Sequence, residues 1–176
     1  MFITPFTAVT AGLATSKDGS TLYVANLQND SLSFVNTATR QVTNEVFFFK
    51  PGQSYAVGEY PYWPAVVSDA AGAPTKIYVT SLRDGQVLAV APSGSFRAIK
   101  VGGEPNRILL SSDQKTLYVA NGDLDEIEVI NTDTDTLASR ISLARAGYRF
   151  KGSSPNSLAL SGDEKTLYVT LGGRMR

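Results

Sequence analysis

The chain has 176 residues, 43% of them hydrophobic and 18% charged, the balance of a polypeptide that folds rather than one that stays disordered. Sixteen basic residues offset sixteen acidic ones, so no overall field steers the chain to nucleic acid or anionic lipid, and nucleic-acid binding is not expected. Cysteine and histidine are both absent, which excludes disulfides, thiolate zinc sites, a cysteine nucleophile, a histidine base and any serine–histidine triad formed within the chain.

The opening stretch, MFITPFTAVTAGLATSKDG (1–19), has neither a basic n-region nor an unbroken apolar run, so no signal peptide is expected, and no later segment approaches the ~20 apolar residues of a membrane span. TAGLATSKDGSTLYVAN (10–26) then gives two short strands around an Asp-containing turn, and LSFVN (32–36) gives a third. An outer strand is expected to run on through Phe47, Phe48 and Phe49 into an aromatic insertion, FFFKPGQSYAVGEYPYW (47–63). PYWPAVVSDAAGAPTKIYVTS (61–81) repeats the first pair of strands with four extra residues in its turn, and VLAVA (87–91) follows. PNRILLSSDQKTLYVAN (105–121) is a third copy, continued by EIEVIN (126–131) and LASRISL (137–143). After a second insertion, ARAGYRFKGSSPN (144–156), PNSLALSGDEKTLYVTL (155–171) is a fourth.

The anchor tyrosines Tyr23, Tyr78, Tyr118 and Tyr168 stand 55, 40 and 50 residues apart, so the unit is close to 40 residues and the surplus belongs to loops. The segments are short, rich in β-branched and aromatic residues and bounded by turn formers, and nothing sustains helical spacing. Strict alternation in EIEVI puts Ile127 and Val129 on one face and Glu126, Glu128 and Ile130 on the other. A sandwich needs no near-identical repeat at this period, and a β-helix repeats at a much shorter one. The pattern therefore predicts an all-β fold: a partial β-propeller of four-stranded antiparallel blades, with blades over 11–49, 61–100 and 105–143 and a half blade over 155–171.

The segments LYVAN, IYVTS, LYVAN and LYVTL, each after an Asp-containing turn, resemble the YVTN family of propeller repeats over nearly the whole chain. The runs GEYPYWPAVV, KIYVTSLRDGQVLAV and FKGSSPNSLALSGDEKTLYVTLGG are more narrowly similar to the propeller half of bacterial proteins in which the propeller precedes an alkaline-phosphatase-like phosphoesterase domain. This resemblance implies a periplasmic or extracellular bacterial setting, a parent ring of seven blades, and catalysis, if any, in an appended domain. It also implies that these three and a half blades are a fragment, completed by self-association or by another chain.

In a propeller, the loops between blades and the turns between second and third strands emerge on one face, at the channel mouth. That face would gather 50–63, 101–107 and 144–156 with 26–31, 81–86 and 121–126. Tyr60 and Trp63 are the candidate aromatic platforms for a sugar, peptide or cation, the plainer role being to plug the gap between blades. Arg149 and Lys151, with Arg145 beside them, form a cationic cluster, and Arg83 and Arg107 open toward the same face as donors for carboxylate or phosphate. The plainer role is pairing with Asp84, Glu104 or Asp123. NGDLDE (121–126) and NTDTDT (131–136) lack the register of a calcium loop, turn chemistry accounts for them, and no metal or cofactor is expected. The pairs Pro105–Asn106 and Pro155–Asn156 set the entry of the innermost strands. The reading is a non-catalytic binding or scaffold module for a protein partner or an anionic or carbohydrate ligand. The alternative is a lactonase-like or other hydrolytic propeller, or an accessory domain of a phosphoesterase.

Overall fold

The computed structural model describes residues 9–49, 52–55, 58–144 and 152–173, and no helix occurs among them. Fourteen strands follow in chain order: β1 (Thr10–Thr15), β2 (Thr21–Asn26), β3 (Ser31–Asn36), β4 (Gln41–Phe47), β5 (Pro61–Ser68), β6 (Pro74–Ser81), β7 (Gln86–Val90), β8 (Phe96–Lys100), β9 (Pro105–Leu110), β10 (Thr116–Asn121), β11 (Glu126–Asn131), β12 (Thr136–Ser142), β13 (Pro155–Leu160) and β14 (Leu167–Leu171). They pair into three four-stranded meanders, β1–β4, β5–β8 and β9–β12, and the two-stranded β13–β14, with every pairing antiparallel. The first strands lie side by side, β1 on β5, β5 on β9 and β9 on β13. The sheets therefore radiate like blades from a common axis, the arrangement of a partial β-propeller.

The turn between the first two strands is built identically in three blades. Ser16, Ser111 and Ser161 donate their hydroxyls to Asp18, Asp113 and Asp163 at 2.5, 2.6 and 2.7 Å, and each carboxylate also accepts the N–H of Ser20, Lys115 or Lys165. The serine hydroxyls hold all three carboxyls below the usual range. In the second blade Asp69 closes the longer turn instead, accepting the N–H groups of Ala71 and Ala73.

The anchor tyrosines face the next blade. Tyr23 packs with Leu32 and Phe34 against Ile77, Val79 and Leu88, its ring edge-to-face with Phe34 at 4.9 Å. Tyr78 packs with Val87 against Ile108, Leu117, Val119 and Ile130. Its fully buried hydroxyl donates to Asp135, and burial, helped by that carboxylate, pushes its pKa up. Burying one such large apolar side chain contributes roughly 1.5–3 kcal/mol, so the seams between blades hold the core. Tyr168, at the same position of the last sheet, is 59% exposed.

The chain leaves the outer strand earlier than expected. Strand β4 ends at Phe47, and Phe48 turns inward, donating its N–H to the Asp30 carbonyl at 2.8 Å and setting its ring edge-to-face on Phe96 at 5.1 Å.

Candidate functional site at the loop face

Hydrogen bonds tie the inter-blade loops to the turns between second and third strands, so both sets do share one face. Asp30, in the β2–β3 turn, is fully buried, and its carboxylate accepts the N–H of Gly58 at 2.6 Å and of Tyr60 at 3.2 Å. Asp125, in the β10–β11 turn, accepts the N–H of Gly152 at 2.6 Å and of Ser154 at 2.8 Å. Both aspartates stand seven residues after their blade's tyrosine and adopt left-handed backbone, with φ 49° and 54°, which Asp tolerates better than most residues. The second blade carries Gly85 there with φ 58°. A Cβ on it would meet the Gly102 carbonyl carbon at 3.0 Å; the short β8–β9 loop crosses on bare backbone, and Val101 and Gly102 donate to the Gly85 carbonyl at 3.0 and 2.8 Å. A carboxylate clamp thus replaces glycine where the inter-blade loop is long. Read along the sequence, both aspartates pass for ordinary turn formers; their common offset from the tyrosine is the signal that marks them.

A second regularity places the side chains at the channel mouth. In each blade the innermost strand breaks register near its start, between Thr10 and Leu13, Pro61 and Pro64, Pro105 and Ile108, and Pro155 and Ser157. Such bulges re-aim a side chain, and the re-aimed positions of adjacent blades meet. Trp63 lies in the bulge of β5 and Arg107 in that of β9, and the Arg107 guanidinium carbon sits 3.4 Å from the centroid of the Trp63 ring. On the other side Gly12 occupies the bulge of β1, where an added Cβ would lie 2.6 Å from the Tyr62 carbonyl oxygen and 2.7 Å from the indole edge. Gly12, Trp63 and Arg107 therefore form a ladder across three blades. It is braced by Thr80, whose hydroxyl accepts the Trp63 N–H at 3.0 Å and donates to the Asn106 carbonyl at 2.7 Å, and by Asn106, which donates to the Pro155 carbonyl at 3.0 Å. Gly12→Ala is expected to cost about 1–3 kcal/mol through overpacking and to shift Trp63 fluorescence, both read in one thermal melt.

Of the remaining candidates, Tyr60 is 40% exposed, with its backbone held by Asp30. Arg83 is exposed and lays its side chain against Gly58. Arg149 and Lys151 lie outside the described residues. The mouth thus brings Trp63 and Arg107 into contact and sets Arg83 beside the loop that carries Tyr60.

No family model matches the chain. A seven-bladed beta-propeller protein of Mycobacterium tuberculosis, Rv1057, is 32% identical to it over 137 residues, covering 77% of this chain and 33% of that protein. Among solved structures, hydrazine synthase of Kuenenia stuttgartiensis superposes with a TM-score of 0.73 at 30% identity over 98% of this chain and 47% of its own. Virginiamycin B lyase from Staphylococcus aureus gives 0.75 at 14% identity over 98% and 52%, a likeness of fold alone. The chain has the β-propeller fold. It spans about a third of the length of the curated relative and about half of each solved chain.

Two of the seams bury a glutamate near this face. Glu59 is 6% exposed and accepts hydrogen bonds from Ser81 Oγ at 2.6 Å and Gln86 Nε2 at 2.9 Å. Burial pushes its carboxyl up, against those two donors, and Asp84 beside it adds to the rise. Glu128 is fully buried, accepts from Asn121 Nδ2 at 3.0 Å, and lies 3.9 Å from Arg140 Nε through the same oxygen. Its Oε2 has no hydrogen-bond partner among the described residues, and burial pushes its pKa up to about 7. Among the described residues no group of three or more Asp or Glu could hold a metal ion, and no helix is long and apolar enough to cross a membrane.

Proposed function

We propose that the chain is a binding module of a YVTN-type propeller that takes a carboxylate-bearing ligand, an acidic carbohydrate, on the loop face. The observation that carries this reading is the Arg107–Trp63 pair. The guanidinium lies on the indole at 3.4 Å and makes no ion pair or side-chain hydrogen bond with any described residue, which leaves its N–H edge for a planar anion. The indole, packed on the seam core, holds the guanidinium flat, and a fork fixed in this way suits the carboxylate of an acidic sugar. Arg83, laid against Gly58, and the half-exposed Tyr60 belong to the same loop face. The YVTN-like segments support an appended phosphoesterase.

Isothermal titration with oligogalacturonate and neutral maltotetraose tests this reading. Oligogalacturonate is expected to bind, maltotetraose to bind more weakly, and Arg107→Gln to lower the affinity for the acid about tenfold, the loss of one charge-assisted contact. Equal affinity in the Arg107 variant would overturn it. The hydrolytic reading draws on the buried Glu59, whose carboxyl burial pushes up, with Asp84 beside it adding to the rise. Turnover in an esterase and lactonase screen, abolished by Glu59→Gln, would favour it.

A further inference from the structure

The seam between the second and third blades departs from its neighbour at positions that the repeat makes equivalent. Phe34, Ala89 and Val129 each stand eleven residues after the tyrosine of their blade and pair directly with it across the sheet. In the first seam the Phe34 ring fills the space beside Tyr23. In the second blade Ala89 carries no ring, and a cleft of about 290 Å³ opens against it, with Ala89 and Ala91 in its lining and Lys76, Phe96, Arg97 and Asp135 around them.

The charged groups are equally particular to this seam. Lys76 stands where the first and third blades carry Thr21 and Thr116. Arg97 pairs across from Ala89, where Asn44 faces Phe34 and Ser139 faces Val129. Asp135 is consumed: Lys76 Nζ meets it at 2.7 Å, Arg97 Nε at 3.7 Å, and Tyr78 donates to it. Lys76 is consumed as well, since it also donates to the Thr132 carbonyl at 2.8 Å. Arg97 is not. Its Nη2 donates to the Thr134 and Asp135 carbonyls at 2.9 and 2.6 Å, while Nη1 has no hydrogen-bond partner among the described residues and the side chain is 56% exposed.

We propose that this cleft binds a small aromatic carboxylate, its ring lying against Ala89, where the first blade carries a phenyl group, and its carboxylate taking the outer edge of Arg97. An apolar cavity of roughly 150 Å³ is enough to take up benzene from water, so there is room for a ring and a short acid chain. Alanine methyls and the aromatic edge of Phe96 give the ring apolar cover, and the one unspent donor at the rim selects an anion over a neutral isostere. The site lies at the β6, β8 and β11–β12 side of the seam, separate from the Trp63–Arg107 pair, and does not depend on it.

Ligand-observed NMR on the full chain with 3-phenylpropionate and 3-phenylpropanol tests the proposal. The acid is expected to bind about tenfold more tightly than the alcohol, and Arg97→Met to bring the two together. Ala89→Phe, which restores the ring of the first blade, is expected to abolish binding of both while thermal unfolding stays cooperative. Ala89→Val, the side chain of the third blade, is expected to weaken both and serves if the phenylalanine variant does not fold. Undiminished binding in a folded Ala89 variant, or no binding of either compound at roughly 10 mM, the weak end for a small fragment, would overturn it.

Discussion

Asp30→Ala is expected to lower the free energy of unfolding by about 3 kcal/mol, measured by urea denaturation. The carboxylate is fully buried and holds two backbone N–H groups of the β4–β5 loop, at 2.6 and 3.2 Å. Hydrogen bonds to a charged group contribute about 1.5–3 kcal/mol each, and part of that is recovered when the released N–H groups reach water. Alanine at φ 49° adds about 1 kcal/mol of left-handed strain. Asp30→Asn keeps the tolerated backbone and one oxygen acceptor, so its loss should be smaller. Asp125→Ala should behave alike, because Gly152 and Ser154 hang on it in the same way. If both alanine variants cost less than about 1 kcal/mol, the range of a single neutral hydrogen bond, the clamp holds nothing.

The second large effect is one of pH. Glu128 ordinarily titrates near 4.5, and burial lifts it to about 7 in the folded chain, against the opposing pull of Asn121 and Arg140 and with Glu126 adding to the rise. The folded state therefore holds the proton more tightly than the unfolded state. The contribution of this group to stability is full below pH 4.5, falls as the pH rises from 4.5 to about 7, and is flat above. The whole fall amounts to about 3 kcal/mol. Glu128→Gln removes the titration. It should exceed the parent chain by less than about 1 kcal/mol at pH 5 and by about 3 kcal/mol at pH 8, as read from urea midpoints at the two pH values. Parallel pH profiles for the two proteins would show that Glu128 does not titrate in this window.

Much of the fold is written in the tyrosine-centred repeats. Short β-branched runs and Asp-containing turns give the strand pairs, and the alternation in EIEVI assigns faces correctly: Ile130 joins Leu117 and Val119 in the seam with the second blade. Proline at 105 and 155 opens the innermost strands of its blades. The bulges were not legible, because they fall in the first residues of short strands, where too few residues precede the break for a change of alternation to show, and are fixed only by the neighbouring strand. For the same reason Trp63 and Arg107 could be named separately but not joined, since 44 residues separate them and only the side-by-side packing of β5 and β9 brings them together. Ala89 in place of Phe34 stands in the sequence for anyone counting from the tyrosines, yet the cleft that opens against it depends on what the next blade places opposite.

The guanidinium lying on the indole at the channel mouth is the claim on which the functional reading rests. Its sharpest test is a titration with oligogalacturonate followed through the Arg107 Nε–Hε and Trp63 Nε1–Hε1 signals in a proton–nitrogen NMR spectrum. The account predicts that both move together and saturate with the affinity found calorimetrically, with Arg107 shifted as its free edge takes the carboxylate. Binding that leaves both signals in place would put the ligand elsewhere and contradict it.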